Sequence, residues 1–209
     1  MTQEEFLRKL RKSYIAHPFE IVDGELIVNT TIGIVWEKLP ERGDLFNSIK
    51  FISDENVIIH ETDIQYDLTF DNKGIAELHL IECNTEIIFT GRCTNVYLKK
   101  LEFIKEGAHL VFNNKGCVSI PNLTELSNSM EFNNGDHVEL DSVSDIPDGF
   151  AFRGNITYID LVNYKPEMNS GVSFSGNVYF YKENTYDWGC NIEGIKPYKI
   201  LTSLLKKNK

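Results

Sequence analysis

The apolar positions of this chain repeat at intervals close to 20 residues. Each unit has apolar residues at its first, third, sixth and ninth positions, and the sixth position can also be Thr or Cys. The clearest example starts at Val138 and Leu140. Eight units, three of them imperfect, start at residues 26, 57, 78, 96, 118, 138, 156 and 178, with spacings of 31, 21, 18, 22, 20, 18 and 22. A period of this length predicts a solenoid in which each repeat is one coil.

Phenylalanine forms a second series with the same period. Its seven members are Phe51, Phe70, Phe89, Phe112, Phe132, Phe152 and Phe174. Six of the seven have Asn, Asp or Gly within the next two residues, as in the segment from Asn113 to Gly116, and these residue types favour turns. One phenylalanine per coil at a constant phase predicts a ladder of rings inside the solenoid, with turns between the coils.

The first part of each unit alternates apolar and polar residues, which predicts a short strand with one buried face. Eight such strands side by side would form a parallel sheet roughly 35 Å across. The long first interval predicts a distorted coil or a protruding loop between Val35 and Phe46, and the segment from Met168 to Gly171 is interpreted as a smaller insertion.

Both ends of the chain are predicted to be helical caps. Thr2 and Glu5 have the spacing of a capping box, and an apolar helical face follows at Phe6, Leu7, Leu10 and Tyr14. Near the other end Pro197 precedes an apolar stripe that reaches Leu205. The sequence thus predicts an N-terminal capping helix in residues 1–20, a solenoid of about eight coils in 21–194 and a C-terminal capping helix in 195–209.

The apolar spacing resembles that of the leucine-rich-repeat proteins, especially the short-repeat kinds found in bacteria and their phages. The unit from Val138 to Gly149 is similar to their L-x-L-x-x-T-x-I-x-x-L-P-x-G motif, shortened by a few residues. The resemblance covers about residues 24–186 and implies a β-rich repeat solenoid with parallel strands. The asparagine position of the longer motif is filled by other residues, so we expect apolar stacking, and no asparagine ladder, to hold the coils together. A parallel β-helix is the alternative.

Charge and composition narrow the range of partners. The 209-residue chain carries a net charge of −10, and residues 21–194 hold 12 basic against 28 acidic side chains, a net charge of −16. Such a surface repels phosphate backbones, so we expect no nucleic-acid binding through the solenoid, whereas a basic protein partner is compatible with it. The chain has no run long enough to span a membrane and no N-terminal signal pattern. Its four scattered cysteines favour reduced thiols, and we therefore expect a cytoplasmic protein without a membrane partner.

Motifs for catalysis are not found in the sequence. The chain has no Gly-rich phosphate loop and no G-x-S-x-G motif. His60 and His79 fall on outward strand positions of neighbouring coils, near Glu61 and Glu82, but paired surface polar groups explain them better than a metal or acid–base site. We therefore predict a non-enzymatic protein with no cofactor and no bound metal.

The outward strand positions are the predicted binding surface. The first column is predicted to hold Ile27, Ile58, His79, Tyr97, Ser119, Glu139, Thr157 and Tyr179, and the second Asn29, His60, Ile81, Lys99, Pro121, Asp141, Ile159 and Tyr181. Exposed aromatic and aliphatic side chains on a sheet favour protein recognition. We select six candidate binding residues: Ile58, His79, Tyr97, Lys99, Tyr179 and Tyr181.

The function predicted from these features is a protein-binding solenoid, with an inhibitor or immunity-type protein as one form of it. A structural or assembly protein of a phage or bacterial particle is the alternative. The oligomeric state does not follow from the sequence.

Overall fold

A computed structural model describes residues 1–14, 17–41, 45–161, 163–164, 172–174, 177–182, 185–190 and 199–200. Side chains are described within these ranges as far as residue 164, apart from Tyr158, and at Val172. Within the described ranges the chain forms one helix and three sheets.

The strands form a parallel β-solenoid of about seven turns, in which the chain alternates between two large sheets. The helix α1 spans Gln3–Ser13. Sheet 1 contains β1 (Phe19–Val22), β2 (Glu25–Thr30), β4 (Ser48–Ser53), β6 (Asp67–Asn72), β9 (Glu86–Phe89), β12 (His109–Phe112), β14 (Met130–Phe132), β16 (Ala151–Phe152) and β18 (Ser173–Phe174). Sheet 2 contains β3 (Ile34–Trp36), β5 (Val57–Ile59), β7 (Ala76–Leu78), β10 (Val96–Tyr97), β13 (Val118–Ser119), β15 (His137–Glu139), β17 (Tyr158–Leu161), β19 (Asn177–Lys182), β20 (Thr185–Cys190) and β21 (Lys199–Ile200). The short sheet 3 pairs β8 (Glu82–Cys83) with β11 (Phe103–Ile104).

The predicted phenylalanine ladder is confirmed. All seven phenylalanines occupy equivalent backbone positions in consecutive strands of sheet 1, from β4 to β18. From Phe51 to Phe152 the distances between consecutive ring centroids are 5.2, 5.0, 5.3, 4.9 and 5.2 Å, and all six rings are buried. These distances are close to the strand spacing of about 4.8 Å, so one ring per coil stacks on the next along the interior.

A column of buried hydrogen-bond donors runs beside the phenylalanines, and the expectation that apolar stacking alone joins the coils is wrong. Each donor follows the phenylalanine of its coil by two residues, or by four in one coil, and lies at most 1% exposed. The members of this donor column are Ser53, Asn72, Cys93, Asn114 and Asn134. Each side chain donates to a backbone carbonyl of the preceding coil, at 2.8 to 3.2 Å. The donor column thus satisfies carbonyl groups that the turns would otherwise leave buried and unpaired.

Asn114 shows how one donor joins two coils. Its Nδ2 lies 3.2 Å from the carbonyl oxygen of Thr94 in the preceding coil and 3.1 Å from those of Gly116 and Cys117 in its own turn. Cys93 has the same role in a coil that lacks the asparagine. Burial raises the pKa of its thiol to about 11, so the sulfur keeps the proton that it donates to the carbonyl of Phe70.

Close stacking of the turns explains the glycines that follow the donor column. A β-carbon at Gly116 would lie 2.6 Å from the carbonyl oxygen of Thr94 in the preceding coil, which is closer than van der Waals contact allows. Gly154 has a φ of +88° and is equally crowded against Asn133. The recurring Asn-and-Gly segments therefore do more than turn the chain, because they let successive coils pack backbone against backbone.

The register of sheet 2 corrects three of the eight predicted units. The backbone register aligns residues 34, 57, 76, 96, 118, 138, 159 and 178, with spacings of 23, 19, 20, 22, 20, 21 and 19, and the first seven of these are buried. The unit assigned to Leu26 belongs to sheet 1, and those assigned to Leu78 and Ile156 are displaced by two and three residues. The long first interval therefore arises from counting one unit in the wrong sheet, and Ile34–Trp36 forms a regular strand.

The N-terminal cap is confirmed. Thr2 and Glu5 form the capping box, Phe6 and Leu10 are buried, and the ring of Phe6 lies 5.5 Å from that of Phe46. Tyr14 packs on Trp36 with ring centroids 4.8 Å apart. The helix and the antiparallel strand β1 thus cover the first coil, within a region close to the predicted 1–20.

At the C-terminal end of sheet 2, β19 continues the parallel sheet beside β17. The next strand, β20, pairs with β19 antiparallel, with Tyr181 opposite Tyr186, so the end of the predicted eighth unit does not continue as a coil. Most of the predicted helix in 195–209 lies outside the described residues, as does the insertion at 168–171. Two residues of the former range, Lys199 and Ile200, form a strand that pairs with β20.

Removing a donor should destabilise the solenoid even where no apolar group is lost. Asn114→Ala should lower the free energy of unfolding by about 1–3 kcal/mol, because buried carbonyls lose their partner. Asn114→Asp, which keeps the shape but not the amide donor, should cost at least as much. Chemical denaturation measures both, with the exposed Asn128→Ala as the control, expected within about 0.5 kcal/mol of wild type. Equal effects of Asn114→Ala and Asn128→Ala would contradict the role of the donor column.

Undocking α1 should cause self-association. Leu10→Asp places a carboxylate at a buried position of the helix, so the helix should detach and uncover the aromatic end of the first coil. Sedimentation should then show concentration-dependent oligomers. Lys9→Asp, on the exposed side of the same helix, introduces the same residue and should leave the sedimentation of wild type unchanged. Identical behaviour of the two variants would show that α1 does not protect this end.

Candidate protein-binding face

The outward face of sheet 2 is built from residues that alternate with its buried strand positions. From the register, its first column is Val35, Ile58, Glu77, Tyr97, Ser119, Glu139 and Asp160. The second column continues the strands and contains Glu37, His60, His79, Lys99, Pro121 and Asp141. Successive residues of a column are one strand spacing apart, about 4.8 Å, so neighbours in a column interact directly.

Four of the six candidate binding residues lie on this face, at its N-terminal half. They are Ile58, His79, Tyr97 and Lys99. Tyr179 and Tyr181 belong to β19, and their side chains lie outside the described residues.

Several predicted column positions are corrected by the same register. His79 belongs to the second column, beside His60, and not to the first. Five other residues predicted on the face are not part of it: Ile27 and Asn29 in sheet 1, Ile81 just before β8, Thr157 just before β17, and Ile159 in the core.

A chain of polar contacts crosses the face from β5 to β10. The Nδ1 atoms of His60 and His79 lie 3.1 Å apart, and Nε2 of His79 lies 3.0 Å from Oε1 of Glu77. The same carboxylate oxygen accepts from Lys99 Nζ at 3.4 Å, and this ammonium lies 5.2 Å from the centre of the Tyr97 ring. The contacts join three consecutive coils, so these side chains are held in place rather than free in solvent.

Glu77 is the electrostatic centre of this network. Its side chain is only 20% exposed, and burial by itself would favour the protonated carboxyl. Hydrogen bonds from His79 and Lys99 outweigh that effect and hold the pKa of Glu77 below its usual value. The carboxylate is therefore ionised at neutral pH and fixes the orientation of the His79 ring.

The C-terminal half of the face is acidic. Ser119 donates to Glu139 from the neighbouring coil, and His137 Nε2 lies 3.1 Å from Asp160. Burial, together with the negative charges of Glu139 and Asp160, raises the pKa of Asp141, against the opposing effect of His137. Burial is the largest cause of this shift; the neighbouring carboxylates add a negative potential at this end of the face, and an added cation would lower the pKa.

Sequence reasoning missed Val35, Glu37 and Glu77, which lie at outward positions of the face. A short alignment would have identified Glu77. If Ala76 is taken as an inward residue, the segment Ala76-Glu-Leu-His79 aligns without gaps with Val57-Ile-Ile-His60. Glu61 and Glu82, which the sequence placed near the histidines, have other partners. Glu61 accepts from the backbone of Leu39, and Glu82 pairs with Lys105.

No family model, curated protein or solved structure matches this chain. In the described part of the chain, no helix is long and apolar enough to cross a membrane. Its function must therefore be inferred from its own residues.

Proposed function

We propose that this protein is a non-enzymatic protein-binding solenoid of the inhibitor or immunity type, which docks the outward face of sheet 2 on a basic surface of another protein. The observation that carries the proposal is the division of one continuous sheet face into two halves: one presents Val35, Ile58 and Tyr97 among paired polar side chains, and the other is acidic. A face of this kind can anchor a partner at one end and orient it electrostatically at the other.

The half of the face that is proposed to anchor the partner is formed by the first four strands of sheet 2, which are β3, β5, β7 and β10. Val35 is 59% exposed, and Ile58 and Tyr97 are partly exposed on the same column. Tyrosine offers a large contact area at little cost in side-chain entropy, because only two torsions are fixed on binding. Lys99 packs over the Tyr97 ring and limits its motion before a partner arrives.

The acidic half favours a basic partner. Glu139, Asp141 and Asp160 are only partly exposed, and His137 lies 3.1 Å from Asp160. The net charge of −16 in residues 21–194 adds a long-range field of the same sign. Association with a basic protein should therefore be fast at low ionic strength and slower in salt.

Pairing of the polar groups supports a role other than catalysis. Ser119 donates to Glu139 instead of a histidine, and His79 is engaged by Glu77.

We place the protein in the cytoplasm because Cys83, Cys93 and Cys117 are free thiols, as expected in a reducing compartment.

Among solenoid types, the arrangement of sheets favours the parallel β-helix over the leucine-rich repeat. A leucine-rich repeat carries one strand per repeat, backed by a helix or 3₁₀ segment. Here each coil from β2 to β19 contributes a strand to sheet 1 and another to sheet 2, with sheet 3 on part of the third side. The apolar spacing shared with leucine-rich repeats then reflects the common need to fill a narrow coil.

Matched variants of the two sheet faces test the proposal. The double variant Ile58→Ser with Tyr97→Ser changes the outward face of sheet 2, and the control Thr69→Ser with Ile88→Ser changes the equivalent face of sheet 1. Wild type and both variants serve as baits in quantitative affinity purification from the source cell. A stoichiometric partner should be retained by wild type and the control, and lost by the first variant.

Titration of that purified partner then measures how much binding free energy each variant loses. The sheet 2 variant should bind at least roughly 2 kcal/mol more weakly, which is about 30-fold. Circular dichroism confirms that both variants are folded. Equal affinity of wild type and the sheet 2 variant, or an equal loss in both variants, would overturn the assignment of this face.

A structural or assembly role is the second candidate, and the end of sheet 2 favours it. Within the described residues β3 pairs only with β5, so its other edge offers backbone groups to a further strand, and Val35 on this strand is 59% exposed. Wild-type protein that forms regular oligomers on sedimentation, lost on Val35→Lys, would support assembly. A monomer at high concentration would exclude it.

A further inference from the structure

We propose that His60 and His79 together bind one divalent transition-metal ion, such as zinc, on the outward face of sheet 2. The proposal is independent of the protein-binding role, because it concerns the free chain and the metal alone. It also goes beyond the sequence, from which we predicted no metal site.

Backbone register places the two histidines side by side. Each follows the last residue of its strand, and these residues, Ile59 and Leu78, are paired in register. The backbone N–H of His60 donates to the carbonyl of Trp36, and that of His79 to the carbonyl of Ile59, at 2.8 and 3.0 Å. The side chains are 31% and 20% exposed, so both rings start from a fixed scaffold and remain open to solvent on one side.

The spacing of the ring nitrogens suits a shared metal ion. The two Nδ1 atoms lie 3.1 Å apart. Two imidazole nitrogens that each lie about 2.0–2.1 Å from a tetrahedral zinc ion are roughly 3.3 Å apart. The rings are nearly perpendicular, at 86°, with centroids 4.4 Å apart. In the free chain this contact is a bent N–H···N hydrogen bond, and both side chains must turn outward before their Nδ1 lone pairs meet at one ion.

The carboxylate of Glu77 gives His79 the outer support typical of a metal-bound histidine, and the carboxylate of Glu37 lies near His60. Nε2 of His79 lies 3.0 Å from Glu77, and Nε2 of His60 lies 4.0 Å from Glu37. When each Nε2 carries its proton toward a carboxylate, both Nδ1 atoms present lone pairs to the same space. Two facing lone pairs at 3.1 Å repel unless a cation lies between them.

Metal binding at this pair requires both rings to turn and one proton to move within the His60 imidazole. Without metal, His60 can hold its proton on Nδ1 and share it with Nδ1 of His79. With metal, that proton moves to Nε2 of His60, which faces Glu37, and both Nδ1 atoms coordinate the ion. Imidazole nitrogen suits zinc, copper and nickel. In the described ranges no group of three or more His, Cys, Asp or Glu side chains has the geometry of a metal site, so the pair leaves positions for water or an added ligand.

The test is calorimetric titration of the full chain, without an affinity tag, with zinc chloride at neutral pH. We expect saturable binding of one ion per chain. Glu77→Gln, which removes the carboxylate beside His79 but keeps its size, should weaken binding by about 10-fold to 100-fold. His60→Gln and His79→Gln should each weaken it at least as much. His109→Gln is the matched control, because His109 lies between Glu86 and Glu131 on sheet 1, and it should bind zinc as wild type does.

A second measurement remains decisive if a variant fails to fold. Nitrogen-15 NMR of the wild-type imidazoles should show zinc-induced shifts at Nδ1 of His60 and His79, with the rings of His17, His109 and His137 little changed. Folding of each variant is checked by circular dichroism. Absence of saturable zinc binding by wild type, unchanged affinity in folded His60→Gln and His79→Gln, or shifts confined to other histidines would overturn the proposal.

Discussion

The structure depends on a single spatial constraint, which is that each coil must fill the narrow interior between sheets 1 and 2 with side chains of the same shape as those of its neighbours. Stacked phenylalanines meet this requirement in sheet 1, at ring spacings between 4.9 and 5.3 Å. The donor column beside them satisfies turn carbonyls that are buried when coils stack. A shift of one coil by a single residue would turn its phenylalanine outward and leave these carbonyls unpaired, so packing and hydrogen bonding select the same register.

An element of this fold could be predicted from the sequence where its residues are suited to only one structural role. The phenylalanine ladder and α1 were predicted because their side chains have one role each. The register of sheet 2 was harder, because both sheets carry the same apolar spacing: the unit at Leu26 fits the pattern but belongs to sheet 1, and the small Ala76 hides the true start of its coil. The donor column was missed because the asparagine was sought at its leucine-rich-repeat position, whereas here it follows the phenylalanine.

The errors in the predicted register of sheet 2 also misplaced residues of the candidate site. Placing His79 one column away from His60 separated two side chains that are in contact, and it hid Glu77, which orients one of them. Residues that depend only on local alternation, such as Ile58 and Tyr97, were placed correctly on the outward face. Contacts between coils join residues about 20 positions apart, so a sequence pattern identifies them only when every intervening turn has been counted correctly.

A rigid stack of coils also explains how a protein with few exposed apolar groups can present a defined surface. Neighbouring strands fix the outward side chains at regular spacings, and ion pairs such as Lys99 with Glu77 hold them before any ligand arrives. The coil register is therefore the central claim. A direct test compares two adjacent residues of β9 by chemical denaturation. Phe89→Ala should cost about 3–5 kcal/mol because it opens a cavity in the ladder, and Ile88→Ala, on the partly exposed side, should cost less than about 1 kcal/mol. A greater cost for Ile88→Ala than for Phe89→Ala would contradict the register and the solenoid interior built on it.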